Sequence, residues 1–155
     1  MPTKAIPEGY HTLTPHLPVD DAKKALEFYK RAFGATERSR MPGPDGKIAH
    51  AEIQIGDSVI MTSDPFPQSS TKSPKEIGGT TASVFLYVED VDSVVQDAVD
   101  AGGQITMPIE DMFWGDRFGQ VTDPFGHIWQ IATHVEDVAP AEMEKRAAEA
   151  MASMG

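Results

Sequence analysis

Residues 19–35 read VDDAKKALEFYKRAFGA and residues 87–103 read YVEDVDSVVQDAVDAGG. Both stretches leave an apolar strand end, offer an aspartate able to cap a helix (Asp21, Asp90), run on with apolar side chains at helical spacing, and stop at a glycine (Gly34, Gly103). The shift that carries Val19 onto Val88 also carries Asp21 onto Asp90, Ala22 onto Val91, Ala25 onto Val94, Leu26 onto Val95, Ala32 onto Ala101 and Gly34 onto Gly103. Unrelated strand–helix units share apolar periodicity too. What favours duplication is that the same shift, without a gap, goes on to place Ile60 on Trp129 and Met61 on Gln130. The chain reads as an α+β protein built from two βαβββ modules.

Outward from the two helices, Thr12–Val19 alternates, with Leu13, Leu17 and Val19 on one parity and Thr14 and His16 on the other; its prolines make it an interrupted strand or one near an edge. The first helix is expected over Ala22–Phe33. Past the turn-rich MPGPDGK of residues 41–47, strands are expected over Ile48–Ile55 and Ser58–Thr62. Residues 64–80, DPFPQSSTKSPKEIGGT, read as a long exposed loop, a linker or a lid. A strand over Ser83–Val88, a helix over Asp90–Ala101, a short strand over Ile105–Ile109 and, after the turn DPFG at 123–126, a last strand over His127–His134 complete the second unit. The expected division is one domain over residues 10–138, with module one about 10–64 and module two about 81–138, then a helix within 139–155 that carries Met143, Ala147, Ala150 and Met151 on one side.

The chain has 155 residues, 13 Lys+Arg against 24 Asp+Glu, a formal charge of −11 and no cysteine. Such an acid excess disfavours nucleic acid and anionic membranes as partners, because phosphate affinity comes from clustered Lys and Arg. Without cysteine there is no disulfide, thiolate nucleophile or iron–sulfur cluster. The start, MPTKAIPEGYHT, lacks the apolar core of a secretory signal, and no apolar run spans a membrane, so a cytoplasmic protein is expected.

In their order and spacing, the two helix segments and DPFGHIWQIATH (residues 123–134) resemble the vicinal oxygen chelate superfamily, which includes glyoxalase I, extradiol dioxygenases and bleomycin-resistance proteins. MPGPDGKIAHAEIQIGDSVIM and EDMFWGDRFGQVTDPFGH resemble its PhnB-like subgroup more narrowly. The resemblance implies a cup-shaped mixed sheet with helices outside and the ligand inside, dimerisation, and chemistry that ranges from lyase, isomerase and dioxygenase to simple drug sequestration. In metal-binding members four side chains hold a divalent ion. The corresponding positions here are Thr14, Met61, Ser83 and Gln130, a poor donor set, so no cofactor is expected.

Candidate ligand contacts are the residues whose parity turns them into the cup. His16, His50 and Glu52 supply polar groups, the last two at a spacing that suits a carboxylate-oriented imidazole base or an unusual divalent-metal site. Phe85, Tyr87 and Trp114 supply aromatic surface, Arg117 a planar cation, and Gln130 an amide. An ordinary solvated polar face, with Arg117 paired to a neighbouring acid, is the alternative for these residues. Two functions follow: an enzyme acting on a small oxygenated metabolite, or a non-catalytic protein that sequesters a drug or metabolite. No glycine-rich nucleotide loop follows a first strand, which argues against methyl transfer. The apolar side of the terminal helix suits a homodimer.

Overall fold

The computed structural model describes residues 2–155. Its elements run β1 (His16–Pro18), α1 (Ala22–Phe33), β2 (Thr36–Pro42), β3 (Ile48–Ile55), β4 (Ser58–Ser63), a short α2 (Pro74–Ile77), β5 (Ser83–Tyr87), α3 (Val91–Asp100), β6 (Gln104–Asp111), β7 (Asp116–Thr122), β8 (Ile128–His134) and α4 (Pro140–Met154). The strands form two four-stranded mixed sheets, ordered β1-β4-β3-β2 and β5-β8-β7-β6. In each, the first strand pairs in parallel with the last and the other pairings are antiparallel.

The repeat is visible bond by bond. His16 pairs with Met61, and their repeat partners Phe85 and Gln130 pair in turn. The Asp21 carboxylate accepts from the Lys24 backbone N–H at 3.1 Å, and Asp90 accepts from Ser93 at 3.1 Å. The first N–H of each helix is also satisfied by the residue after the closing strand's core: Ala22 donates to Asp64 at 2.8 Å, Val91 to the Thr133 hydroxyl at 2.9 Å. Gly34 ends α1 with φ 67°, the left-handed backbone that glycine adopts without cost.

Helices α1 and α3 pack together against one face of the sheets. Leu26, Val91, Val95, Ile53, Val121 and Ile131 are buried there. An aromatic cluster crosses between the modules: the Tyr29 and Phe33 rings of α1 lie 5.3 and 4.4 Å from Trp129 of β8, and Phe28 lies 6.3 Å from Phe125. At its centre is Asp123, only 3% exposed. One carboxylate oxygen accepts from the Tyr29 hydroxyl at 2.7 Å and Trp129 Nε1 at 3.0 Å; the other accepts from the backbone N–H of Phe125 and His127, both at 2.9 Å. His127 adds a second link, its Nε2 lying 2.7 Å from the Pro18 carbonyl oxygen.

Several expectations are corrected. The first strand shrinks from Thr12–Val19 to His16–Pro18, because Pro15 and Pro18 have no N–H to give a ladder, and Leu13 is 86% exposed instead of facing the helices. β2 and β7 have no counterpart among the expected strands: TERSRMP is polar and wholly exposed, with no alternation, and Gly119 breaks the pattern of β7. The loop 64–80 is anchored at both ends. Asp64 is buried and accepts from Ala22 and Ile48, while Ser73 and Glu76 form a reciprocal cap on α2. Pro74 then seats so closely on Gly126 that a Cβ there would lie 2.7 Å from the proline's. Among the described residues no helix is long and apolar enough to cross a membrane.

Tyr29→Phe removes one charge-assisted hydrogen bond and is expected to cost about 1.5–3 kcal/mol in urea unfolding. Asp123→Ala strands several buried donors at once and is expected to cost more, on the order of 4 kcal/mol. Equal effects of the two would mean that Asp123 acts through Tyr29 alone.

Candidate functional site

With the helices on one face of each sheet, the other face is left open. Cross-strand register aligns His16, Met61, Glu52 and Ser39 in one row across module one, with Ser63 and His50 in the next. His16 Nε2 lies 3.1 Å from Ser63 Oγ, and His50 Nε2 lies 3.3 Å from Glu52 Oε1. Ser39 Oγ donates to the other Glu52 oxygen at 3.3 Å. Above this row sits a residue that sequence reasoning passed over: the buried Tyr10 hydroxyl faces Glu52 without a well-aligned hydrogen bond, its ring covered by the Arg38 guanidinium at 5.0 Å. The nearby phenol holds the Glu52 carboxyl below its ordinary range, helped by His50 and Ser39 against the effect of burial. Burial, then Glu52, lifts the Tyr10 phenol. Burial also lowers the His16 pKa, and the neighbouring His50 and His127 push it the same way.

The open face of module two is aromatic. Phe85 lies 4.9 Å from Tyr87 and 5.9 Å from Phe118, and Trp114 lies 6.0 Å from Phe118. Asp116, 2% exposed and absent from the sequence candidates, sets this wall. Its Oδ2 accepts from the Tyr87 hydroxyl at 2.9 Å and Trp114 Nε1 at 3.0 Å, and its Oδ1 lies 2.8 Å from His134 Nδ1. Burial pushes the Asp116 pKa up, but these three partners outweigh it and leave the carboxyl below its ordinary range. The same bond, with Asp137 at 2.7 Å from Nε2, raises the His134 pKa. Nothing in the one-dimensional pattern marked Asp116, because its importance lies in facing His134 across β7 and β8.

The structure brings His16, His50 and Glu52 together on module one and Phe85, Tyr87, Trp114 and Gln130 together on module two. Arg117 joins neither group. It extends to the helical side, donating to both oxygens of Asp92 on α3 at 2.8 and 2.9 Å and to Asp111 at 3.2 Å. These acids raise its pKa further and occupy the fork that a ligand would need. Of the four positions at which the resemblance places a metal, Thr14 precedes β1, Met61 offers a thioether, and the Ser83 hydroxyl is spent on the Gln130 side chain at 3.2 Å. Two hydroxyls, a thioether and an amide do not fit a divalent cation. Among the described residues, no three or more His, Asp or Glu side chains are grouped to hold one elsewhere.

The two faces meet along the seam between β1 and β5, which holds two clefts. One, of about 610 Å³, is lined by His16, His127, Ser83 and Phe85 and bordered by Lys72 and Pro74 of the connector. The other, of about 580 Å³, is lined by Thr14, Val59, Phe85, Tyr87 and Trp129. Both lie within the usual range for small-molecule sites.

Comparison with known proteins agrees with this fold. The family model of the Glyoxalase/Bleomycin resistance protein/Dioxygenase superfamily matches residues 10–131. The protein Rv0887c of Mycobacterium tuberculosis is 43% identical over 146 residues, which cover 92% of this chain and 84% of that one. The crystal structure of TioX from Micromonospora sp. ML1 superposes with a TM-score of 0.64 at 28% identity, over 81% of this chain and 99% of that one. A PhnB protein from Bacillus cereus shares the fold at 21% identity, with a TM-score of 0.62 over 79% of this chain and 99% of that one.

Resolved by NMR, the two imidazoles are expected to titrate on opposite sides of about 6.5, His16 below and His134 above. The His134 contribution to stability is then complete below about 6.5 and lost as pH rises through its folded pKa; that of His16 is present above about 6.5 and lost as pH falls. Asp116→Asn is expected to return the His134 midpoint toward 6.5, and an unmoved midpoint would discount the Asp116 bond.

Proposed function

The chain belongs to the glyoxalase/bleomycin resistance protein/dioxygenase superfamily, and from that premise we propose that it binds a small oxygenated metabolite in the cup without the divalent ion that metal-binding members of the family hold. One observation carries the reading: His16 from module one and Phe85 from module two line the same cleft, so a ligand there meets an imidazole on one wall and an aromatic face on the other. In this reading His16 hydrogen-bonds ligand oxygens and Phe85 covers its apolar part, while Gln130, Tyr87 and Trp114, outside the lining of that cleft, meet whatever part of the ligand extends along the open face of module two. His50, on the open face of module one and outside the lining of the cleft, supplies proton transfer to a ligand that extends along that face. With Glu52 accepting from Nε2, the other ring nitrogen is free to take a proton from a ligand carbon or hydroxyl, as a lyase or isomerase requires. Arg117 has no part in binding.

The second reading is sequestration without turnover, favoured by the extent of aromatic surface on module two and by the acid excess, which would attract a cationic drug. The cytoplasm and a homodimer complete the proposal, with the exposed Met151 and Met154 of α4 as the surface for the partner subunit.

Co-crystallisation with candidate metabolites should place density in the seam cleft. His50→Ala and Glu52→Ala are expected to retain binding and lose conversion by about 10²–10⁴-fold. Should the wild type bind ligands and convert none, sequestration is the function. Protein purified without chelators is expected to show no stoichiometric zinc, nickel or manganese in metal analysis and calorimetry; tight one-to-one uptake would overturn the metal-free reading.

A further inference from the structure

On the helical side of the molecule, away from the open sheet faces, a cleft of about 530 Å³ runs between α1 and the loops that carry Gly102 and Pro124. Its floor is apolar: Phe28 and Phe125 are nearly buried at its base, and Gly102 leaves the backbone bare, with only Pro124 near where a side chain would start. Its rim is cationic. Lys23, Lys24 and Arg31 line it against a single acid, Glu27, which already lies 3.4 Å from Lys30. Arg31 spends one N–H on the Asp100 carbonyl at 3.3 Å and holds no ion pair among the described residues; Lys24 reaches its one acid, Asp21, only at 3.9 Å.

The duplication supplies an internal control. At the repeat-equivalent positions of α3, Lys23, Lys24 and Arg31 are replaced by Asp92, Ser93 and Asp100. A chain of formal charge −11 has thus gathered three of its 13 Lys and Arg around one apolar groove, on one copy of the helix alone. Solubility does not call for that, since net acid charge already provides it.

We propose that this groove is a second binding site, one that takes a soluble amphiphilic carboxylate: the apolar chain lies on Phe28, Gly102, Pro124 and Phe125, and the carboxylate meets Lys24 and Arg31. It is independent of the cup and of the function proposed for it.

Decanoate titrated into ¹⁵N-labelled full-length protein, below its micelle concentration, is the test. Saturable shifts are expected at Lys24, Arg31, Gly102 and Phe125, with none along the β1–β5 seam. Lys24→Glu with Arg31→Glu is expected to weaken binding about tenfold. If circular dichroism shows that this pair disturbs α1, Lys24→Gln with Arg31→Gln provides the same comparison with a smaller loss. Decyltrimethylammonium, equally apolar and oppositely charged, is expected not to bind. Absence of saturation, shifts confined to the seam, equal binding of the cation, or an affinity unchanged in both double variants would each overturn the proposal.

Discussion

A single buried carboxylate holds the two halves of this molecule in register. Asp123 lies in the turn that leads into β8, yet it accepts from Tyr29 of α1, from Trp129 of β8 and from two backbone amides of its turn. A buried charge is tolerated only when such donors replace its water. Because one of them comes from the other module, satisfying Asp123 also brings α1 against the second sheet. The His127 contact with the Pro18 carbonyl repeats the link at the seam itself, and the cleft containing His16 and Phe85 opens beside it. Core and candidate site therefore rest on the same turn.

The two modules share a backbone plan and differ in what they expose. Both cap their helices with aspartate and satisfy the first helical N–H from a side chain at or just past the end of the module's last strand, Asp64 after β4 and Thr133 in β8. Module one then presents titratable polar groups, module two an aromatic wall fixed by Asp116. Each face is organised by a carboxylate below its ordinary pKa range, Glu52 on one and Asp116 on the other, but Asp116 is nearly buried and saturated with donors, while Glu52 keeps partners that a ligand could displace.

Much of this was legible in one dimension. α1 and β3 have the expected bounds, since their periodicity and punctuation agree, and the shift that aligns the two halves also carries the His16–Met61 pair onto Phe85–Gln130. Parity put His16, His50 and Glu52 on one face. It failed where a residue's role depends on a neighbour distant in sequence: Arg117 is claimed by Asp92 of α3, Asp116 matters through His134, and Tyr10 reaches Glu52 from a segment with no pattern of its own. Composition read the 64–80 connector as a mainly exposed loop, as it is, but did not show the capped turn at Ser73–Ile77 that Pro74 fastens to Gly126.

The chain contains two tryptophans, and the fold assigns them to different surroundings. Trp129 is fully buried between Tyr29, Phe33 and Asp123, so its emission follows the integrity of the joint between the modules. Trp114 stands at the margin of the open aromatic face, tied to Asp116 beside Phe118, so its emission follows the surroundings of that face. The protein thus carries its own pair of fluorescent reporters, one for the joint between the modules and one for the open aromatic face, with no need of an added label.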